Sequence, residues 1–299
     1  MTASGILNVD KERGLSSHDV VALVRKGLRG QKVGHAGTLD PLATGVLVVL
    51  VGRAVRISEY VMDLPKVYRT TVTLGASTTT YDSEGDVTET SPVQVTEDSV
   101  RRGLSRFVGE IQQAPPPYSA AKVEGERAYR LARAGKAVDL AKRSVRVYRA
   151  ELLRFEPPHL EIEVECGKGT YIRSIAHDLG QVLGCGGHVS QLLRTSVGNI
   201  DIESATGVEE LRRALADGTW EQLLQPMDVG LMHLPAITIE IEDEKDLRHG
   251  QAVVLDEPPR DLAPSDGLIA RGYAEDGSLI GIISYDAGVK AWRPRKVLT

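Results

Sequence analysis

Apolar residues recur along this chain with two different periods, and the changes of period predict its elements. Val20, Val21, Leu23, Val24 and Leu28 repeat at helical spacing behind Ser16-Ser17-His18-Asp19, a capping-box pattern, and predict an amphipathic helix that ends at Gly30. The unbroken run from Val46 to Val51 reads as a buried strand. Tyr68, Thr70, Val72 and Leu74 alternate along 66–75, and Leu160, Ile162, Val164 and Cys166 do the same with acids between them, so both stretches predict half-exposed antiparallel strands. Ile172, Ile175, Ala176, Leu179, Val182 and Leu183 form the core face of a second helix, capped by Thr170 and ended by Gly184. Tyr171 and Arg173 fall in its first turn, off the apolar stripe. The Ser, Thr, Asp and Gly of 75–92 predict a long surface loop.

The pattern changes near Leu234-Pro235, the expected domain boundary. Short strand candidates follow at 236–241, 268–273 and 279–285, with a turn at Asp276-Gly277, and suggest a small β-rich module. A chain of 299 residues has room for such a module beside one large domain. No apolar stretch approaches the roughly 20 residues that span a bilayer, and the first residues carry no leader pattern, so a cytoplasmic protein without membrane contact is expected. Cys166 and Cys185 lie far apart and outside any C-x-x-C pair, which leaves buried thiols as the expectation. No heptad or exposed apolar stripe calls for self-association, so the expectation is a monomer with no obligate protein partner.

Charge changes the picture locally. The net charge of −5 argues against a nucleic-acid partner, but the average hides an asymmetry. Between Lys122 and Arg154 ten basic side chains face four acidic ones, whereas 237–286 holds twelve acids against four bases. The stiff Ala114-Pro115-Pro116-Pro117-Tyr118 introduces the basic stretch, whose 128–134 portion has helix-forming composition. An arm hinged at the prolines is expected there, and Arg127, Arg130 and Arg133 are its candidate contacts with an anionic partner; a solvated helix face is the other reading.

Chemistry concentrates in Gly34-His35-Ala36-Gly37-Thr38-Leu39-Asp40-Pro41-Leu42-Ala43-Thr44-Gly45. Glycines let the backbone take positive φ or approach a ligand, and Pro41 fixes its own φ and biases Asp40 toward extended conformations, so the loop holds a carboxylate in one pose. Asp40 is then a candidate nucleophile or base, against the reading of a turn-forming Asp before Pro. Arg173 is its candidate partner, since a guanidinium is permanently charged, pairs bidentately with carboxylates and keeps them ionised. His35 is a candidate base, ligand or hydrogen-bonding spacer, although no second histidine stands at metal-ligand spacing, so no metal site is expected. His177 and His188 are isolated and read as surface or satisfied core residues. The loop lacks the Gly-Lys-Ser/Thr ending of a phosphate-binding loop, and no dinucleotide fingerprint occurs, so cofactor-free chemistry is expected. Aromatic residues make up only 4% of the chain, which singles out Tyr68 and Tyr171 as candidate stacking platforms. A hydrolase acting on a glycosidic bond with retention requires a second carboxyl about 5 Å away, and none shares the Asp40 loop.

From Gly34 to Leu47 the chain resembles the catalytic motif of the TruB family of tRNA pseudouridine synthases. The likeness extends through Asp10-Lys11, Lys66-Val67-Tyr68, Asp82-Ser83-Glu84-Gly85, Gly169-Thr170-Tyr171-Ile172-Arg173 and the stretch from Gly184 to Thr195. It covers roughly residues 4 to 230 in family order. Glu12 departs from it, standing where the family usually has proline. The resemblance implies an α+β fold: a catalytic domain over 1–233 on a mixed, mainly antiparallel sheet flanked by helices, an RNA-clasping insertion at about 115–154, and a PUA-like β-rich domain over 234–299. It implies isomerisation of uridine 55 in the T loop of tRNA to pseudouridine, without cofactor, on a base flipped out of its stack. By the same resemblance Asp40 is the nucleophile and Arg173 its ion-pair partner. Tyr68 stacks on the base and takes part in proton removal, Tyr171 lines the pocket, and His35 contacts RNA where the base leaves. Lys11, Leu192 and Arg194 lie around the site. A non-catalytic tRNA-binding or RNA-chaperone protein, with a merely structural Asp40 loop, is the alternative.

Overall fold

The protein, seen here as a computed structural model, is described for residues 3–119, 122–123, 126–128, 140–255 and 265–298. Strand β1 (Gly5–Lys11) leads through helix α1 (Ser17–Gly27) and the short β2 (Val33–His35) to β3 (Thr44–Val51), helix α2 (Ser58–Asp63) and β4 (Lys66–Leu74). A hairpin of β5 (Ala76–Thr78) and β6 (Val87–Thr90) precedes α3 (Glu97–Ser105), β7 (Gly109–Gln113) and the short pair β8 (Lys122–Val123) and β9 (Glu126–Arg127). Strands β10 (Arg143–Glu156) and β11 (His159–Cys166) then lead to α4 (Ile172–Leu183), β12 (Gly187–Val197), β13 (Ile200–Asp201), β14 (Thr206–Gly207) and α5 (Val208–Asp217). The chain closes with β15 (Ala236–Ile239), α6 (Ile241–Arg248), β16 (Ile269–Ala274), β17 (Leu279–Asp286) and β18 (Ala291–Val297).

The main sheet runs β14-β1-β3-β12-β4-β11-β10-β7, with β2 paired to β3 and β13 to β12. It is antiparallel except where β1 meets β14 and β3 meets β12. The β3–β12 junction is brief, pairing Leu193 with Thr44 and Arg194 with Gly45. There the backbones come so close that a Cβ on Gly45, itself at φ +95°, would stand 2.3 Å from the Arg194 carbonyl oxygen. All six residues from Val46 to Val51 are inaccessible to solvent. Leu47, Val49 and Val51 face one core with α1 and α4, while Val46, Val48 and Leu50 face a second with α2, with Ile282 of the four-stranded β15-β16-β17-β18 sheet and with Leu298 just after its last strand. Both alternating strands, β4 and β11, stand as expected and pair with each other from Lys66–Cys166 to Thr73–His159.

Four local expectations are corrected. Ser16 and Asp19 do form the capping box, but α1 ends at Gly27, because Leu28, whose amide makes the last helical bond to the Val24 carbonyl, leaves the helical region at φ −98°, ψ 45°. Tyr171, not Thr170, is the N-cap residue of α4; the Thr170 hydroxyl instead donates to the Gly167 carbonyl at 3.1 Å. Val182 is exposed on that helix, whereas Arg173, expected off the apolar stripe, is buried. The stretch 75–92 is a surface loop only in part: β5 and β6 pair within it and 86–90 are exposed, but Thr78 Oγ1 donates to the Asp82 carbonyl at 2.7 Å and the Glu84 amide to Asp82 Oδ1 at 3.0 Å, and Ser77, Thr78 and Asp82 are buried. Both cysteines are free and buried, as expected. No described helix is long and apolar enough to cross a membrane.

Candidate active site

The Asp40 loop runs from β2 into β3 and is pinned from several directions. Its apolar members Leu39, Leu42 and Ala43 plug into the core. Ser17, at the start of α1, grips the Leu39 backbone twice: its hydroxyl donates to the Leu39 carbonyl at 3.0 Å and accepts from the Leu39 amide at 2.7 Å. The Gly14 amide donates to the Pro41 carbonyl at 2.8 Å, and the Ala43 amide to the Asp40 carbonyl at 3.0 Å. Lys11 is fully buried at the end of β1, where its ammonium donates to the carbonyls of Glu12 and Leu15 and so shapes the turn that carries Gly14. Burial lowers its pKa to about 8, with the nearby Asp40 charge acting in the opposite sense.

Opposite the loop stands the first turn of α4. Arg173 Nε lies 2.9 Å from Asp40 Oδ2, an ion pair in which the Nε–H does not point along the contact. Both terminal nitrogens of the guanidinium have partners of their own. Nη1 donates to the Thr80 carbonyl at 2.9 Å and lies 3.3 Å from Asp82 Oδ2, and Nη2 donates to the Tyr118 carbonyl at 3.0 Å. Asp82 therefore belongs to the site, a role that sequence reasoning did not give it although its loop was part of the resemblance. Tyr171 is held by Gln113 at the end of β7, whose side-chain oxygen accepts from the Tyr171 amide at 2.8 Å while its Nε2 donates to the Tyr171 carbonyl at 3.1 Å.

Between these walls lies a pocket of about 300 Å³. Asp40, Tyr68, Tyr171, Arg173, Leu192 and Arg194 all line it, together with Lys66, whose place in the site was not expected. Arg194 is buried at the β3–β12 junction, donating Nε to the Val46 carbonyl at 2.7 Å and Nη2 to the Gly37 carbonyl at 3.1 Å, with Nη1 3.5 Å from the Tyr68 hydroxyl. Burial raises the Tyr68 pKa and the Arg194 charge opposes that rise, so the phenol is neutral near pH 7. The Lys66 ammonium is spent on the carbonyls of Met62 and Leu64, and burial lowers its pKa to about 8.

Two expected residues stand apart from the pocket lining. His35 lies on β2, paired with Val49 of β3, and burial with the Arg194 charge lowers its pKa, which favours the neutral ring. Lys11 lies behind the Asp40 loop. Arg127 falls on the short β9, while Arg130 and Arg133 lie outside the described residues. Among the described residues no group of three or more His, Cys, Asp or Glu could hold a metal ion.

Set beside proteins of known sequence, the chain is a pseudouridine synthase. The model of the TruB family pseudouridylate synthase N-terminal domain matches residues 25–172, and that of the tRNA pseudouridylate synthase B C-terminal domain matches 173–232. The chain belongs to the TruB family, and is an isomerase. Among its relatives is a tRNA pseudouridine synthase B of Pseudomonas aeruginosa (strain UCBPP-PA14), 45% identical over 260 residues that make up 86% of each chain. Another, from Stutzerimonas stutzeri (strain A1501), is 42% identical over 300 residues, covering 99% of this chain and 95% of the relative. Of solved structures, a chain in a Cbf5-Nop10-Gar1 complex superposes with a TM-score of 0.75 at 26% identity, covering 99% of this chain and 85% of its own.

Proposed function

We propose that the protein converts uridine 55 in the T loop of tRNA to pseudouridine, with Asp40 as the nucleophile. The observation that carries this reading is the Asp40–Arg173 ion pair facing Tyr68 across one pocket. The reaction breaks the bond between N1 and C1′, forms one between C5 and C1′, and exchanges the C5 proton for one on N1. It is redox-neutral. The target uridine is stacked inside a folded loop, so it must be extruded, and a pocket lined by Tyr68, Tyr171 and Leu192 lowers the cost of holding it out.

Asp40 Oδ attacks either C6 of the base or C1′ of the ribose, and both routes need the same ionised carboxylate beside Arg173. Tyr68 stacks on the flipped ring. Removal of the C5 proton needs a base, and Tyr68 serves as one only as the phenolate, which the Arg194 charge favours and burial opposes; on taking the C5 proton it returns to the neutral phenol. Lys11 and Ser17 act through the backbone of the Asp40 loop, His35 meets RNA at the margin of the pocket, and the basic stretch of 115–154 holds the tRNA, with 234–299 as a separate PUA-like module. The protein is a cytoplasmic monomer in this reading.

Asp40→Asn is nearly isosteric and uncharged. It is expected to abolish tritium release from tRNA labelled at C5 of uridine while leaving tRNA binding intact, and mass-spectrometric mapping of a transcript treated with the wild-type protein is expected to find pseudouridine at position 55. Substantial turnover by the variant refutes the mechanism. Wild-type protein that binds tRNA without forming pseudouridine favours the RNA-chaperone alternative.

A further inference from the structure

Thr80 and Asp82 supply two of the acceptors around the Arg173 guanidinium, and between them stands Tyr81. Its backbone lies in the left-handed region, at φ 63°, where a bulky side chain stays only if its surroundings hold it. What holds it is visible. The phenol ring lies flat on the imidazole of His177, with centroids 3.8 Å apart and planes 7° from parallel. His177 sits on α4 one turn beyond Arg173, so the stack joins the acceptor loop to the helix that carries the arginine. The buried Nδ1 of His177 has no hydrogen-bond partner, which leaves the ring contact as its principal tie. The loop is also hooked to the sheet, since the Tyr81 carbonyl accepts from the Val189 amide at 3.0 Å. Neither ring lines the pocket.

We propose that the Tyr81–His177 stack is a positioning device for the reaction: it locks 80–82 onto α4 in the backbone conformation that aims the Thr80 carbonyl and the Asp82 carboxylate at Arg173. Tyr81 and His177 are positioning residues, acting on turnover only through the orientation of Arg173 against Asp40. This rests on the reading of Asp40 and Arg173 as the reacting pair. Neither residue belonged to the motifs that carried the resemblance, and an isolated histidine in the sequence does not announce a stacking partner 96 positions away.

Tyr81→Gly removes the ring while allowing the left-handed backbone without strain, and Tyr81→Phe keeps the ring. His177→Ala and His177→Phe make the same pair of changes from the helix side. Each variant and the double Tyr81→Gly/His177→Ala variant is assayed for single-turnover pseudouridine formation on a tRNA transcript at saturating enzyme, with transcript affinity and Tm measured in parallel. Tyr81→Gly and His177→Ala are each expected to slow the single turnover by about tenfold with affinity changed by less than about twofold, and the double variant to be about as slow as either one. Both Phe variants are expected within about twofold of the wild-type rate. A merely structural role lowers Tm and leaves the rate well below Tm untouched, so a full rate in Tyr81→Gly or His177→Ala overturns the proposal, as does a double variant whose losses multiply. Should Tyr81→Gly not fold, His177→Ala decides. Asp40→Asn runs alongside: turnover in that variant is the failure of the catalytic reading, whereas an inactive Asp40→Asn with a fully active Tyr81→Gly is the failure of the positioning role alone.

Discussion

Replacing Asp82 by Asn removes a negative charge 3.3 Å from Nη1 of Arg173 and keeps the shape of the side chain. Two unit charges at that distance attract by about 5 kcal/mol at an effective dielectric of about 20. The guanidinium would keep the Thr80 and Tyr118 carbonyls and Asp40, which offset part of the loss. We therefore expect Asp82→Asn to cost about 3 kcal/mol, the lower end of what breaking one side of a buried pair costs. Asp40 is closer to the arginine, at 2.9 Å, yet its side chain is 37% exposed against 6% for Asp82. Water screens that contact, and the Nε–H is not aligned with it, so Asp40→Asn should cost no more than about 1 kcal/mol. Exposure decides over distance here: Asp82 is the counter-ion that lets Arg173 be buried, and Asp40 contributes little to holding it there. With both carboxylates replaced the buried guanidinium has no anionic partner left among the described residues, so the double variant should lose more than the sum of the single ones by about 1 kcal/mol or more. Urea unfolding of the four proteins, read from the buried Trp220 and Trp292, measures all three values. An Asp40→Asn variant as destabilised as Asp82→Asn, or an Asp82→Asn variant within about 1 kcal/mol of wild type, would refute the assignment of roles.

Lys66 has a folded pKa of about 8 against 10.5 in the unfolded chain, so between those values the unfolded state binds the extra proton and stability rises with pH. The slope is up to about 1.4 kcal/mol per pH unit for each such lysine, and Lys66→Met should flatten the rise seen from pH 8 to 10 by about half, Lys11 supplying the remainder; an unchanged slope in urea titrations excludes Lys66 as its source. Gln113→Ala strips both bonds from the Tyr171 backbone and should cost about 2 kcal/mol with a drop in kcat, measured by unfolding and by single turnover; a variant as stable and active as wild type would show that Tyr171 needs no clamp. Neutralising Arg127, Arg130 and Arg133 together should weaken tRNA binding and reduce the slope of log K against log salt by up to about 3, and an equal slope would remove the basic stretch from the interface.

What could be read from the chain beforehand follows from where each cause resides. Burial of Val46 to Val51, and the alternation along β4 and β11, are properties of a side chain and its period, so those strands were legible. The carboxylate in its glycine loop was legible too, because Asp-Pro between glycines is poor core material; charge pointed to Arg173, the scarcity of aromatics to Tyr68 and Tyr171, and the resemblance added Leu192 and Arg194, all of which line the pocket with it. Arg173 was placed off the apolar stripe, and its burial was not legible, since an arginine enters a core only where acceptors wait for it, and those acceptors lie 93 and 55 positions away, on Thr80 and Tyr118. Both are main-chain carbonyls, which any residue type supplies. The same holds for Ser17, which grips Leu39 across 22 positions, and for Gln113, which grips Tyr171 across 58. A side chain that bonds to backbone has a partner without chemical identity in the sequence, so neither periodicity nor motif marks it. Asp82 is the intermediate case: its loop was part of the resemblance, but only the fold reveals that its charge stands against the same guanidinium as Asp40. The carboxylate of this pocket was therefore readable from its own neighbourhood, while the groups that hold the walls around it became readable only once the chain was folded.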